Sequence, residues 1–320
     1  MLCIGYDIGG TKCAVSLGRV EGERMEILDK TQFPTQGAPE TVLSQMADCA
    51  EVLLKKRGLS FRDVTSAGIS CGGPLDSVRG VVLSPPNLPG WDAIPAVEIL
   101  EKRTGVSTKL QNDANACAVA EWKFGAGRGS RNMVFLTFGT GLGAGLILDG
   151  RLYCGASDMA GEVGHIRLAE DGPVGYGKPG SAEGFCSGGG IARSCVLAVG
   201  RALSQGETPE IYRAVNGDLT QITAYLVAKL AKEGDPFCRE IYAACGRKLG
   251  MLLSMLMDIV NPEVIVLGGV FMRSQELIRP AMEEVIAREA LPHAARVCRI
   301  LPAGLSEGIG DYAALSVACL

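Results

Sequence analysis

Apolar residues run together and then stop at glycines four times along the chain, and this rhythm sets the reading of its elements. Residues 2–8 (LCIGYDI) and 13–17 (CAVSL) read as strands around the turn GGTK, because β-branched and other apolar residues end abruptly at two glycines. The grammar returns at 134–148, where VFLTF meets GTGLGAG and resumes as LILDG, an internal echo rather than a short-period repeat. Between these hairpins Val42, Leu43, Met46, Ala50, Leu53 and Leu54 recur at helical spacing within 40–57. VTSAGIS at 64–70 reads as a strand entering Gly72-Gly73-Pro74, STKLQ at 107–111 as another strand, and 114–124 as a helix whose first turn holds Asn112 and Asp113. Further on, 238–259 places Ile241, Cys245, Leu249, Leu252, Leu256 and Ile259 on one helical face, VIVLGG at 264–269 is a buried strand, and 274–290 is helical. The order is mixed α/β throughout, and the two hairpins predict two α/β lobes with a cleft between them.

Length supports the same organisation, since 320 residues suffice for two domains with separate cores. Glycine contributes 43 residues, nearly twice its usual share of roughly 7%, and this excess is expected in turns and ligand loops. Lys plus Arg number 31 against 35 Asp plus Glu, a net charge of −4, which leaves no basic surface for a nucleic acid. The twelve cysteines include no C-x-x-C pair and lie mostly in apolar runs, as small buried hydrophobes do. With no secretory leader pattern and no apolar run long enough to span a bilayer, a reduced cytoplasmic protein is expected.

The glycine turns are DIGGTK at 7–12, CGGP at 71–74, FGTGLGAG at 138–145 and LGGV at 267–270. Any one of them can be a plain hairpin, as glycine is the default turn residue. Thr11 and Thr140 beside the glycines, with Lys12 as a cation, add what an anion cradle needs, and several such turns favour a nucleotide. The common nucleotide fingerprints fail, however. Residues 172–178 fit G-x-x-x-x-G-K, but Pro179 stands where a P-loop needs Ser or Thr for Mg²⁺. Gly139, Gly141 and Ala144 fit G-x-G-x-x-A, yet a strand follows where a dinucleotide site needs a helix. Gly68, Ser70 and Gly72 match the G-x-S-x-G of a nucleophile elbow, leaving an esterase with His165 or His293 as its base as an alternative.

Asp113, in QNDANA, has two compatible readings: a helix N-cap, and a carboxylate at a strand-to-helix junction that accepts the proton of a hydroxyl nucleophile beside Asn112. A second polar cluster is GEVGHI at 161–166, where Glu162 and His165 are three apart, with Glu183 further on and Asn87 in SPPNLPGW. Together these groups suit the vicinal hydroxyls of a sugar.

From DIGGTK through PPNLPGW, NDANA, FGTGLGAG and GEVGH to NPEVIVLGG, the chain resembles the ROK sugar kinases and regulators. Its N-L-P-G-W string is most similar to glucokinase-type members. The resemblance implies a duplicated ribonuclease H-like fold of the actin and hexokinase ATPase type. It divides into a small lobe at 1–112, completed by a helix at 306–320, and a large lobe at 113–305. It implies an ATP-dependent hexose kinase acting on the 6-hydroxyl of glucose or a relative, with N-acetylmannosamine, N-acetylglucosamine, fructose and allose as other acceptors and a homodimer as the assembly. A sugar sensor without catalysis is the competing class. It further implies that Asp7 positions nucleotide-bound Mg²⁺ through water, that Gly9, Gly10, Thr11, Lys12, Thr140 and Gly141 face the phosphates, and that Gly268 and Gly269 border the adenosine. Sugar contacts would come from Asn87, Asn112, Glu162, His165 and Glu183, with Asp113 as the base.

The chain departs from the family at one loop. The family commonly follows GEVGH with C-x-C-G-x-x-G-C-L-E, a zinc motif, whereas residues 174–183 read VGYGKPGSAE. Val174, Tyr176 and Ser181 stand at the three cysteine positions, and Cys186 alone cannot complete a tetrahedral site, so no structural zinc is expected. The N-terminal DNA-binding region of the family's regulators is not expected either, with Asp7 so near the start.

Overall fold

A computed structural model describes residues 1–305 and 308–320. The chain divides into two compact units, the first comprising Met1–Arg131, Gly145–Ala160 and Gly304–Leu320, the second Asn132–Ala144 and Gly161–Ala303. The helix opened by Asp113 therefore belongs with the first unit, as does the C-terminal helix. That last helix runs over Ile309–Val317, and residues 306 and 307 of the expected 306–320 lie outside the described residues.

The first unit is built on a five-stranded sheet of β1 (Leu2–Ile8), β2 (Lys12–Glu21), β3 (Arg24–Pro34), β4 (Ser66–Cys71) and, after the short hairpin of β5 (Leu75–Asp76) and β6 (Val81–Val82), β7 (Thr108–Asn112). Its order is β3-β2-β1-β4-β7, antiparallel across the first three and parallel from β1 to β7. The strand β3 went unread in the sequence because it lies at the sheet edge and buries only Met25 and Phe33 among polar neighbours. Strand alternation divides β1 between two layers. Ile4, Tyr6 and Ile8 share a core with Val42, Leu43, Met46, Leu53 and Leu54 of the helix Pro39–Lys55, while Cys3 and Gly5, out of phase, face Leu315 of the C-terminal helix. Each fully buried aliphatic side chain there contributes roughly 1.5–3 kcal/mol.

Three strand glycines explain how the C-terminal helix lies so close. A Cβ on Gly5 would stand 2.9 Å from the Leu315 amide nitrogen, on Gly18 2.6 Å from Leu315 Cδ1, and on Gly68 2.3 Å from the Ala314 carbonyl oxygen. These residues sit on adjacent strands and pair as Cys3 with Gly18 and Gly5 with Gly68, so they form one bare trough across the sheet. The glycine excess is thus not confined to turns and ligand loops, as composition alone suggested. Part of it lets a helix approach a sheet.

In the second unit β8 (Met133–Phe138) is followed by β9 (Leu142–Leu148), whose residues from Gly145 onward pass into the first unit and pair there with β10 (Arg151–Tyr153). A small hairpin of β11 (Val174–Gly175) and β12 (Lys178–Pro179) comes next, then β13 (Val264–Leu267) and β14 (Arg299–Pro302). The sheet runs β9-β8-β13-β14, with β13 parallel to both neighbours and all four of its residues buried. The long helices of this unit are Gly188–Ser204, Pro236–Val260 and Val270–Glu289, and the last two pack on each other. The helix expected at 274–290 begins earlier, at Val270, and breaks its backbone regularity at Ser274, whose φ is −138°. Among the described residues no helix is long and apolar enough to cross a membrane, and the twelve cysteines are unpaired.

Candidate active site

Asp7 stands one residue before the end of β1, in register with Ala14 on β2 and Ser70 on β4. The turn that follows is closed by its own backbone: the Gly9 amide donates to the Lys12 carbonyl at 3.2 Å, and Thr35 Oγ1 donates to the Gly9 carbonyl at 2.6 Å. Thr11 and Lys12 are exposed at its tip. Gly10 is bare because Asn87 fills the space beside it, and a Cβ there would come within 2.4 Å of the Asn87 carbonyl oxygen. The CGGP turn, treated in the sequence only as one more glycine bend, proves to be the spacer of this region. A Cβ on Gly72 would meet Asn87 Oδ1 at 3.3 Å, and one on Gly73 would meet Asn112 Nδ2 at 3.1 Å. Three turns remote in sequence thus bring Asn87 and Asn112 to either side of Gly72-Gly73, whose bond to Pro74 is cis.

Asn112 ends β7 and caps the helix Asp113–Phe124, its Oδ1 accepting the Ala114 amide at 2.9 Å. The cap reading of Asp113 therefore passes to its neighbour, although Asp113 Oδ1 accepts the same amide at 2.8 Å. As the first helical residue, Asp113 keeps its carboxylate accessible where a substrate can reach it. Surrounding protein still thins its hydration and raises its pKa, with the Ala114 and Asp113 amides opposing the rise.

Asp7 is pushed up to about 7, first by burial and then by the negative charges of Asp113 and Asp311, against the pull of Lys12 and a Ser70 hydrogen bond. Asp311 is a residue that sequence reasoning missed. It lies in the first turn of the C-terminal helix, accepts from Ser16 Oγ at 3.2 Å and pairs with Lys30 Nζ at 2.9 Å. Its neighbour Gly310 would carry a Cβ 3.6 Å from Asp7 Oδ2. Crowded carboxylates favour a proton or a cation, and hard oxygen donors suit Mg²⁺, which one or two carboxylates bind together with phosphates. Glu121 is the other missed residue: fully buried, it accepts the amides of Ala126, Gly304 and Leu305 at 2.8, 2.9 and 2.9 Å. It ties the end of the Asp113–Phe124 helix to the segment leading toward Asp311. A glutamate at helical spacing carries no mark of that role.

In the second unit the turn after β8 is folded on itself by the Gly139 amide donating to the Gly141 carbonyl at 3.1 Å. The Gly188 amide, at the start of a long helix, donates to the Gly139 carbonyl at 2.8 Å. Gly269, with φ of +57°, presses so close that a Cβ would fall 2.0 Å from the Phe138 carbonyl oxygen, and Gly268 donates to the Leu136 carbonyl at 3.0 Å. Thr140, Gly141, Gly268 and Gly269 are thereby brought into one neighbourhood of backbone.

Glu183, on the one-turn helix Ala182–Phe185, adjoins this turn: its Oε2 accepts the Leu142 amide at 3.1 Å, and a Cβ on Gly141 would be 2.7 Å from the same oxygen. Glu162 precedes the single turn Val163–His165 and lends its carbonyl to the His165 amide at 3.1 Å. Gly164 within that turn packs on Glu183, where a Cβ would meet the Glu183 Cβ at 3.4 Å. Glu162, His165 and Glu183 therefore occupy one neighbourhood, carried on loops and single helical turns.

The loop at the family's zinc position does not fit the metal. Val174 offers no donor, and Ser181 Oγ is committed to the Gly184 amide at 3.2 Å and the Gly175 carbonyl at 3.3 Å. Cys186 is buried with its thiol toward the Cys245 carbonyl. The Tyr176 and His165 rings stand edge to face.

The ROK family model matches residues 3–318, and the chain belongs to the ROK family. A glucokinase of Streptomyces coelicolor is 34% identical over 270 residues, 84% of this chain and 81% of the relative. A crystal structure of a ROK hexokinase from Thermus thermophilus has a TM-score of 0.80 at 29% identity, over 100% of this chain and 98% of that one. A ROK family glucokinase from Streptomyces griseus, crystallised with glucose and AMPPNP, has a TM-score of 0.76 at 30% identity, over 100% and 99%. The fold is accordingly the actin-like ATPase fold of the ROK hexokinases.

Proposed function

We propose that the protein is an ATP-dependent hexose kinase that moves the γ-phosphoryl group to a sugar hydroxyl, the 6-hydroxyl of glucose or a close relative, with Asp113 as general base. The observation that carries this reading is the first-unit constellation: an accessible carboxylate at a helix start, flanked by Asn112, spaced from Asn87 by Gly72-Gly73, and close enough to Asp7 to raise its pKa. Phosphoryl transfer passes through a loose transition state, so catalysis consists mainly of in-line positioning and charge neutralisation. Asp113 takes the hydroxyl proton, while Asn87 and Asn112 fix the acceptor by hydrogen bonds. Asp7 would hold nucleotide-bound Mg²⁺ through water, and that ion would neutralise phosphate charge. The backbone at 9–12 and at Thr140-Gly141 faces the phosphates, Gly268 and Gly269 border the adenosine, and Glu162, His165 and Glu183 contact the ring. The relatives named glucokinase and the glucose and AMPPNP held by one of them support the reading. A coupled assay of ADP release tests it, with glucose, N-acetylmannosamine, N-acetylglucosamine, fructose and allose offered separately. Turnover with glucose is expected. Sugar binding with no ADP release from any of them marks a sensor instead.

A further inference from the structure

We propose that the β11–β12 hairpin braces His165 in the orientation its sugar contact requires, with the Tyr176 ring as the positioning group where zinc-bearing relatives would hold metal. The inference rests on the kinase reading for what His165 does, and on this chain's own geometry for how it is held. The two rings meet edge to face, with centroids 6.4 Å apart and planes at 77°, the arrangement aromatic quadrupoles favour. From the same hairpin, Lys178 Nζ donates to the His165 carbonyl at 2.7 Å, so ring and backbone are gripped by one element.

The backbone of the hairpin gives a second, independent reason. Tyr176 and Gly177, its two central residues, have φ of +43° and +73°. A two-residue loop with both φ values positive selects Asn or Asp followed by Gly, and a bulky aromatic at the first position is strained. Tyr176 is also 74% exposed, so burial does not explain it. What the ring does touch is His165. The hairpin is seated in turn on the short helix that carries Glu183: a Cβ on Gly175 would stand 2.5 Å from the Gly184 amide nitrogen, 2.9 Å from the Glu183 Cβ and 2.7 Å from Ser181 Oγ. One two-stranded element therefore spans the supports of both His165 and Glu183, using a ring contact, an ammonium-to-carbonyl bond and a bare glycine.

The chain contains only two histidines, which makes the test direct. In the full-length protein labelled with ¹³C-histidine, His165→Gln assigns the His165 resonance. Tyr176→Asn, which relieves the turn, is expected to shift that resonance while the melting temperature holds or rises, and Tyr176→Phe to restore it. In the same variants sugar KM is expected to rise about 2- to 10-fold for Asn, the range an aromatic edge contact is worth, and to recover for Phe, with KM for ATP and kcat unchanged. An unmoved resonance in Tyr176→Asn overturns the brace whatever the assays show, as does a moved resonance with unchanged sugar KM. One tightly bound zinc per chain, with a resonance that moves on chelation, overturns it too. Absence of turnover with every sugar sinks the kinase reading and the sugar role with it, while the resonance still reports separately whether the ring contact exists.

Discussion

The polar residues of the first unit and those of the second are supported by different kinds of structure. Asp7, Asn112 and Asp113 stand at strand ends and a helix start, where sheet register and helix geometry fix the backbone before any side chain acts. Glu162, His165 and Glu183 ride on single helical turns and depend on caps, close glycine contacts and the hairpin beside them. The first arrangement can hold a crowd of like charges, because the scaffold is too stiff for the carboxylates to drift apart. The second rests on short local supports and can adapt its loop, which is consistent with a chain that lacks the family's cysteines there.

The largest effect that can break the comparison lies at Asp113. A positioned base contributes ~10²- to 10⁴-fold, so Asp113→Asn is expected to lower kcat by that much with KM for ATP little changed. Since the base works only when ionised and its pKa is raised, kcat/KM should fall as pH drops through a value above the ordinary carboxylate range. An acid limb at the usual aspartate pKa would show that the carboxylate is as well hydrated in the enzyme as in water. Near-unchanged turnover in the variant would remove Asp113 from the chemistry.

Next in size is the buried anchor of the first unit. Glu121→Ala would leave three backbone amides without their acceptor, at a cost of about 2–4 kcal/mol, read as a lower urea midpoint in equilibrium unfolding. It should also loosen the path to Asp311 and so weaken nucleotide binding more than sugar binding. A loss under about 1 kcal/mol would mean that the helix Asp113–Phe124 is fixed by its packing alone.

What the sequence revealed follows another division, between residues that act through sequence neighbours and residues that act through remote ones. Strand-glycine junctions and the polar start of the Asp113–Phe124 helix were visible because periodicity breaks there and the residue types change together. Glu121, Asp311 and the trough of Gly5, Gly18 and Gly68 were not, because each matters through a partner far away in the chain: residues 304–305, Lys30 with Ser16, and Leu315 with Ala314. Glycine inside a strand is indistinguishable by pattern from glycine at a bend until the helix that needs the space is known. Tyr176 could be seen as a departure from a motif, but its edge contact with His165 depends on a turn conformation that sequence pattern would assign to asparagine.

The smallest expected effect sharpens the comparison from the second unit. Ser181, at the third cysteine position of the family motif, is fully buried and caps the one-turn helix of Glu183 by accepting the Gly184 amide. Loss of such a cap usually costs ~1 kcal/mol. Ser181→Ala should therefore lower stability by about that amount, less than Glu121→Ala, because the helix it caps is a single turn whose other supports are local. Its functional mark should be selective: Glu183 loses part of its hold on the Leu142 amide, so sugar KM rises while the pH dependence set by Asp113 stays put. Should the two substitutions prove equally destabilising, the second unit's cluster would be anchored as deeply as the first, and the contrast drawn between scaffold and loop would fail at this residue.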